Sequence, residues 1–189
     1  YGLLVAYTDP SYKSSKTNDF KATMLIGKYK DEVHVLKAYC QQTTTSMMID
    51  WQYELDALVK GAVPVYYIIE WPWIDDTLQR EITEGAKRHH GRIIPLKADD
   101  RTKPDKFTRI ESLLEPLNRN QKLWFNIHEK DNPHMIKTEE QFLALAPGSR
   151  AHDDSPDAVE GGVYWINNKT NPASNQLSMG HRRANPKRY

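Results

Sequence analysis

Three β-rich runs at the start of the chain constrain its fold more than any other feature. An apolar run from Leu3 to Tyr7 is typical of a buried strand, and "FKATMLIGKY" and "DEVHVLKAYC" follow it. Only Lys28 to Asp31 join the second and third runs, which predicts an antiparallel hairpin. With later strand patterns that alternate with helical ones, this start predicts an α/β fold whose mixed central sheet is flanked by helices.

The remainder of the chain alternates helical and strand patterns. Apolar residues at helical spacing, followed by Gly61, predict a helix over about residues 46–60. "VPVYYIIE" predicts a strand buried on both faces, and "RIIPLKA" and "KLWFNI" predict two short strands. Further helices are predicted over residues 74–90, after Pro104, around Met135 and after "HDDSPD". The predicted order is therefore β-β-β-α-β-α-β-α-β-α-α.

Composition excludes several classes of protein. The 26 basic and 25 acidic residues nearly cancel, so overall charge neither requires nor excludes a nucleic-acid partner. Cys40 is the single cysteine, which excludes an internal disulfide and a zinc site built from several thiolates. The sequence has neither an apolar run of about 18 residues nor a secretory signal, so we expect a soluble protein of the reducing cytosol. Because Tyr1 leads directly into a core strand, we also expect a piece of a longer polypeptide.

Acidic residues occur where two predicted strands end and where a late helix begins. Asp9 ends the first strand, Glu70 ends the fourth, and Asp153, Asp154 and Asp157 start the last helix. If the first and fourth strands are neighbours, their ends lie about 5 Å apart. Clustered carboxylates repel one another, and such clusters normally hold hard divalent cations through oxygen ligands. The pattern predicts a metal centre of the kind that cleaves phosphodiesters with two ions.

Each acidic motif taken alone also has a purely structural explanation. Asp9 before Pro10 can cap a turn through its own side chain. Glu70 can be the exposed end of a strand, and "HDDSPD" can be an anionic helix start favoured by the helix dipole. The three motifs in this order favour the metal centre over these separate explanations.

The order of these motifs resembles a known family. "YTDPSY" with "NDF", "YIIEWPWIDD", "KPDKFTRIESLLEPL", "KLWFN" and "SRAHDDSPDAVEGG" are similar to the nuclease domain of the large terminase subunit of tailed bacteriophages. That domain is a branch of the ribonuclease H-like fold. The similarity spans residues 7–162, and its last segment is the most specific. One departure is the pair Trp71 and Pro72, where the family usually has a small residue and Asn.

The resemblance implies a set of site residues. The family's metal-binding and catalytic acids correspond to Asp9, Glu70, Asp154 and Asp157, which would hold Mg²⁺ or Mn²⁺, with two ions expected. In a helix, residues three apart share a face, so Asp154 and Asp157 can point together while Asp153 faces elsewhere. An alternative makes Asp154 the N-cap of the helix, serving backbone N–H groups and no cation.

The resemblance also implies a function. Such domains cut concatemeric double-stranded viral DNA when a genome is packaged into the capsid, in the cytoplasm of the host. The implied partners are double-stranded DNA, an N-terminal ATPase domain of the same polypeptide, the terminase small subunit and the portal, and no membrane. No GxxxxGK[ST] phosphate loop occurs here, so ATP-driven translocation is not expected of these 189 residues.

Two other functions stay open at this stage. The acids alone do not exclude another ribonuclease H-like nuclease, of the junction resolvase or transposase type. The "DKFTRI" and "HDDSPDA" segments favour the terminase type over that alternative. The second alternative is a non-catalytic module that docks the packaging motor onto other components.

Several residues are expected to support the acids. Five basic residues lie along a loop and a helix start, where they suit contacts with DNA phosphates or an ordinary solvated face: Lys97, Arg101, Lys103, Lys106 and Arg109. Asp19, His152 and Asp153 are candidate supporting residues near the metal. Residues 1–169 are expected to form the nuclease domain, and residues 170–189 a basic, flexible or partner-bound tail.

Overall fold

A computed structural model describes residues 1–10, 20–70 and 76–170 of the chain. The strands of this part are β1 (Leu4–Asp9), β2 (Phe20–Tyr29), β3 (Glu32–Gln42), β4 (Val65–Ile69), β5 (Lys97–Ala98) and β6 (Leu123–Phe125). Its helices are α1 (Thr45–Val59), α2 (Asp76–Arg88), α3 (Lys106–Arg119), α4 (Pro133–Leu143) and α5 (Asp154–Thr170), with a short 3₁₀ turn at Ile127–Glu129. The predicted order of strands and helices is confirmed. None of the described helices is long and apolar enough to cross a membrane.

The strands form one mixed sheet in the order β5-β4-β1-β2-β3-β6. The hairpin of β2 and β3 is antiparallel, and β1 pairs antiparallel with β2 but parallel with β4. In the parallel pair Leu4 faces Val65 and Thr8 faces Ile69, and the Glu70 amide donates to the Thr8 carbonyl at 2.8 Å. The first and fourth strands are therefore neighbours, and both end at the same edge of the sheet.

Alternate side chains of β1 belong to two separate hydrophobic cores. Every residue of β1 is buried, because helices cover both faces of the sheet. Val5 and Tyr7 point to the side covered by α3, α4 and α5, whereas Leu4 and Ala6 point to the side covered by α1 and α2. A central strand with apolar residues on both faces fixes the position of the acid at its end.

Two adjacent glycines let α5 lie directly on the sheet. A Cβ on Gly161 would stand 2.2 Å from Cζ of Tyr7, and one on Gly162 would stand 2.6 Å from Cγ1 of Ile26. Both partners are fully buried side chains, so neither has space to move away. The absence of side chains at these two positions sets how close the start of α5 comes to the end of β1.

Local sequence explains where the structure departs from the predicted elements. The predicted strand "RIIPLKA" reduces to the two residues of β5, because Pro95 has no N–H and the Leu96 amide turns back to the Ile94 carbonyl at 2.8 Å. The strand β4 is buried on both faces only at its end, since Tyr66 is exposed. The helix α1 matches its prediction closely, although Leu58 lies on its exposed side.

We predict that Gly161→Ala destabilises the fold. The new methyl group would overlap the Tyr7 ring, and overpacking of this kind costs about 1–3 kcal/mol or more. Urea unfolding should show a lower midpoint with an unchanged slope. Gly2→Ala is the matched control, since a Cβ there meets nothing within 4 Å and should leave the midpoint unchanged. Equal midpoints for the two variants would contradict the close packing of α5 on β1.

Candidate metal centre

Three carboxylates from distant parts of the sequence meet at one edge of the sheet. Asp9 ends β1, Glu70 follows β4 directly, and Asp157 lies in the first turn of α5. One oxygen from each lies within 4.8 Å of the others. Asp9 and Asp157 are buried, and Glu70 is partly exposed. The proximity expected of the first-strand, fourth-strand and late-helix acids is therefore present for these three.

The start of α5 explains the different positions of its acids. The Asp157 amide donates to the Asp153 carbonyl at 3.0 Å, so Asp153 is at the cap position and Asp154 is the first helical residue. The Ser155 amide is bound by Oε1 of Gln141 at 2.7 Å, which anchors this turn to α4. Asp157 therefore lies in the first turn of the helix, at the positive end of the helix dipole.

Asp153 and Asp154 lie beside the three-carboxylate group, not within it. The side chain of Asp153 is partly exposed and binds Nζ of Lys106 at 2.7 Å. Asp154 is buried, with one oxygen 3.6 Å from Nδ1 of His152. The His152 ring is itself half exposed and packs edge-on against Phe20. The alternative in which Asp154 is the N-cap does not match this helix start.

Three of the predicted DNA-binding residues contact the carboxylates. Nζ of Lys103 lies 2.6 Å from Oε1 of Glu70, and Nζ of Lys106 lies 3.0 Å from Oδ2 of Asp157. Nη1 of Arg109 lies 2.5 Å from Oδ1 of Asp157. In this structure these cations serve first as counter-charges to the acids.

The two other predicted DNA-binding residues lie farther from the three acids. Arg101 is largely buried and forms a two-pronged contact with Glu160, with both distances at 3.0 Å. Lys97 is exposed, and its Nζ lies 4.8 Å from the centre of the Trp165 ring. Asp19 lies outside the described residues, so its supporting role near the metal stays a prediction, and the departure at Trp71 and Pro72 also lies outside them.

Two further acids, Glu160 and Asp99, form a second layer of charge that supports the cations around the three carboxylates. Sequence reasoning missed both. Glu160 accepts from Arg109 at 2.5 Å as well as from Arg101. Asp99 accepts from the Tyr7 hydroxyl at 2.6 Å and from Nε of Arg101 at 2.9 Å. Two sequence signals could have found them: Glu160 is three residues after Asp157 on the same helix face, and Asp99, like Asp9, comes at the end of a strand.

Burial and the neighbouring acids together raise the pKa of Asp9. Burial raises the pKa of Asp9 well above its usual value, and the charges of Asp157, Glu70 and Asp154 raise it further, while Lys106 opposes them. Burial alone would lower the pKa of Lys106, yet the surrounding carboxylates raise it above the usual lysine value. Lys106 is therefore charged at neutral pH.

The donor set fits a hard divalent cation. Asp9, Glu70 and Asp157 offer carboxylate oxygens, the ligands that Mg²⁺ and Mn²⁺ prefer. Oε2 of Glu70 is buried and has no hydrogen-bond partner among the described residues. A buried charged oxygen without a partner is costly, and an added cation would satisfy it. The residues present therefore fit a metal ion.

Comparison with known proteins gives the class of this fold. No protein-family profile and no curated protein sequence matches the chain. Among solved structures, the human cytomegalovirus terminase nuclease domain is similar over 86% of this chain and 82% of that chain, with a TM-score of 0.61 at 14% identity. The chain has the ribonuclease H-like fold of viral terminase nuclease domains, which confirms the predicted fold class.

Two further structures have the same fold. The P22 large terminase nuclease domain is similar over 86% of this chain and 80% of that chain, with a TM-score of 0.54 at 14% identity. A Mn-soaked human cytomegalovirus terminase nuclease domain is similar over 86% of this chain and 82% of that chain, with a TM-score of 0.61 at 13% identity. The fold is thus shared with terminase nuclease domains of both P22 and human cytomegalovirus.

We predict that Glu160→Gln destabilises the protein strongly. The amide would leave the buried cations Arg101 and Arg109 without their shared carboxylate, and breaking a buried ion pair costs about 3–5 kcal/mol. The free energy of unfolding in urea measures this loss. Glu84→Gln, which removes an exposed contact with Lys87, should leave that free energy nearly unchanged. A similar small change for Glu160→Gln would show that the second layer does not stabilise the fold.

The raised pKa of Asp9 predicts a pH-dependent change in stability. Because the pKa of Asp9 is higher in the folded protein than in the unfolded chain, Asp9 lowers the free energy of unfolding at pH values above its unfolded pKa of about 3.9. This loss of stability disappears below that pH. Asp9→Asn in chelator should therefore melt at or above the wild-type temperature at pH 8, with the difference shrinking toward pH 4. Asp31→Asn is a control of opposite sign, because Lys122 lowers the pKa of Asp31. A clearly lower melting temperature for Asp9→Asn at pH 8 would contradict this prediction.

Proposed function

We propose that the chain is a metal-dependent endonuclease that cuts concatemeric double-stranded viral DNA during genome packaging. The observation that carries the proposal is the meeting of Asp9, Glu70 and Asp157 within 4.8 Å, in a fold shared with terminase nuclease domains. The Mn-soaked structure of one such domain agrees with a divalent cation as the cofactor.

The roles of the acids follow from their positions. Asp9, Glu70 and Asp157 would hold Mg²⁺ or Mn²⁺, and Asp154, buried in the same helical turn, is proposed as the fourth carboxylate of a two-ion centre. Bound ions of this kind lower the pKa of a water molecule and stabilise the leaving oxygen of a phosphodiester. Lys103 orients Glu70, and Arg109, held from behind by Glu160, orients Asp157.

The proposed contact with DNA is to its backbone. Lys97 and Lys106 are the most accessible of the five predicted DNA-binding residues, while Arg101, Lys103 and Arg109 are largely buried in ion pairs. Basic side chains suit phosphates and carry no base readout by themselves. We therefore propose cleavage with little sequence preference.

The wider setting of the activity is also proposed from the resemblance. The chain would work beside an ATPase domain of the same polypeptide, with the terminase small subunit and the portal as partners, in the host cytoplasm. Residues 1–169 would form the nuclease domain and residues 170–189 a basic tail. The helix α5 ends at Thr170, one residue beyond this proposed boundary.

Metal-dependent cleavage of plasmid DNA tests the proposal. We predict nicking in Mg²⁺ or Mn²⁺, none in chelator, and at least about a hundredfold loss of rate for Asp9→Asn, Glu70→Gln, Asp154→Asn and Asp157→Asn. Asp153→Asn should keep substantial activity, because Asp153, unlike the buried Asp154, is partly exposed and pairs with Lys106.

Melting temperatures of the same variants distinguish the loss of a metal ligand from the loss of the folded structure. Cleavage that persists in chelator would contradict the metal mechanism. An inactive Asp153→Asn together with an active Asp157→Asn would contradict the assigned ligands. Specific cutting of branched DNA would favour a junction resolvase, and a folded wild-type chain inactive with both metals would favour a docking module.

A further inference from the structure

Lys106 contacts three carboxylates, as Arg109 does, but it is the more exposed of the two cations. Its Nζ lies 2.7 Å from Oδ1 of Asp153, 3.0 Å from Oδ2 of Asp157 and 4.0 Å from Oδ2 of Asp9. Asp9 and Asp157 belong to the group that would hold a metal ion. The ammonium therefore lies against two of the three carboxylates that a divalent cation would need.

Lys106 is also the cation best able to leave. Its side chain is 38% exposed, compared with 15% for Lys103, 13% for Arg101 and 8% for Arg109. Lys103 also donates to the Tyr7 hydroxyl, and Arg109 pairs with Glu160 as well as with Asp157. Both cations therefore have an additional contact with a buried residue outside the group of three acids. Within residues 1–10, 20–70 and 76–170, Lys106 has no such additional contact. It is the first residue of α3, where a long flexible side chain can move toward solvent.

Asp153 can stay paired with Lys106 when the Lys106 side chain moves away from Asp157 and Asp9. The Asp153 carboxylate is 37% exposed, lies outside the group of three and forms the shortest contact of Lys106. Lys106 can keep Asp153 while it gives up Asp157 and Asp9. The geometry thus provides two positions for one ammonium, one over the acids and one at their rim.

We infer that Lys106 is an internal cation that holds the carboxylates together before metal binds and competes with the metal for them. This inference rests on the proposed metal-dependent function and adds a positioning residue to it. An ammonium and a divalent ion at the same carboxylates repel each other, so the ion must displace Lys106 from Asp9 and Asp157. Lys106 therefore weakens metal binding while it stabilises the metal-free protein.

Binding of Mn²⁺ to the full chain without DNA tests the inference. Free Mn²⁺ is measured by electron paramagnetic resonance at one fixed pH and ionic strength. We expect Lys106→Met to bind Mn²⁺ at least about tenfold more tightly than wild type, because one positive charge within a few ångströms of the ion is gone. Lys106→Arg keeps the charge and should bind as wild type does.

The matched control removes the same charge far from the acids. Lys122 pairs with Asp31 beside β6, at the opposite end of the strands from Asp9, so Lys122→Met should leave Mn²⁺ affinity unchanged. In chelator, Lys106→Met should melt at a lower temperature than wild type, since one of the cations that offset the repulsion between the carboxylates is gone. Added Mn²⁺ should restore more stability to this variant than to wild type. If Lys106→Met folds poorly, Lys106→Gln is measured in its place.

The outcomes separate this inference from the proposed function. Equal or weaker Mn²⁺ binding by Lys106→Met overturns the inference while leaving the metal-dependent function in place. Tighter binding by Lys106→Arg as well as by Lys106→Met also overturns it, because the effect would then come from shape and not from charge. Failure of wild type and all variants to bind Mn²⁺ at millimolar concentration overturns the proposed function and the inference together.

Discussion

The balance of charge at one edge of the sheet is the interaction on which the rest of the site depends. Asp9, Glu70 and Asp157 are brought together by parallel pairing of β1 with β4 and by close packing of α5. Such a group is stable only when cations stand beside it. Lys103, Lys106 and Arg109 supply them from a single stretch of chain, and Glu160 and Asp99 hold the cations' own network in place.

Much of the fold could be predicted because the local patterns agree with the final structure. The order of strands and helices follows from periodicity, turn signals and the short hairpin link between β2 and β3. The neighbouring positions of β1 and β4 were an assumption at the sequence level, and the register of Thr8 with Ile69 shows that it holds. The edge strand β5 was overpredicted, because apolar character in "RIIPL" signals burial whereas Pro95 prevents pairing.

The candidate site was only partly predictable. Motif order identified the acids at the strand ends and the late helix, since chemistry restricts which residues occur there. Sequence could not assign partners to the basic residues, because a run of Lys and Arg suits a DNA surface and buried counter-charges equally well. Their contacts depend on how α3 packs against α5, a long-range property that no local pattern encodes. Helical spacing from Asp157 could have indicated Glu160, but its contact with Arg109 and that of Tyr7 with Lys103 join separate elements and could not be read from local patterns.

The position of the cations in residues 101–109 has a consequence for how the protein folds. The acids come from β1, the end of β4 and α5, so they approach one another only after most of the sheet has formed. Until residues 101–109 dock, that approach is opposed by repulsion among like charges. Closure of this edge is therefore a late event in folding, and raised salt, which screens the repulsion, should speed it up. Docking of residues 101–109 would remove the repulsion between the acids that opposes this closure.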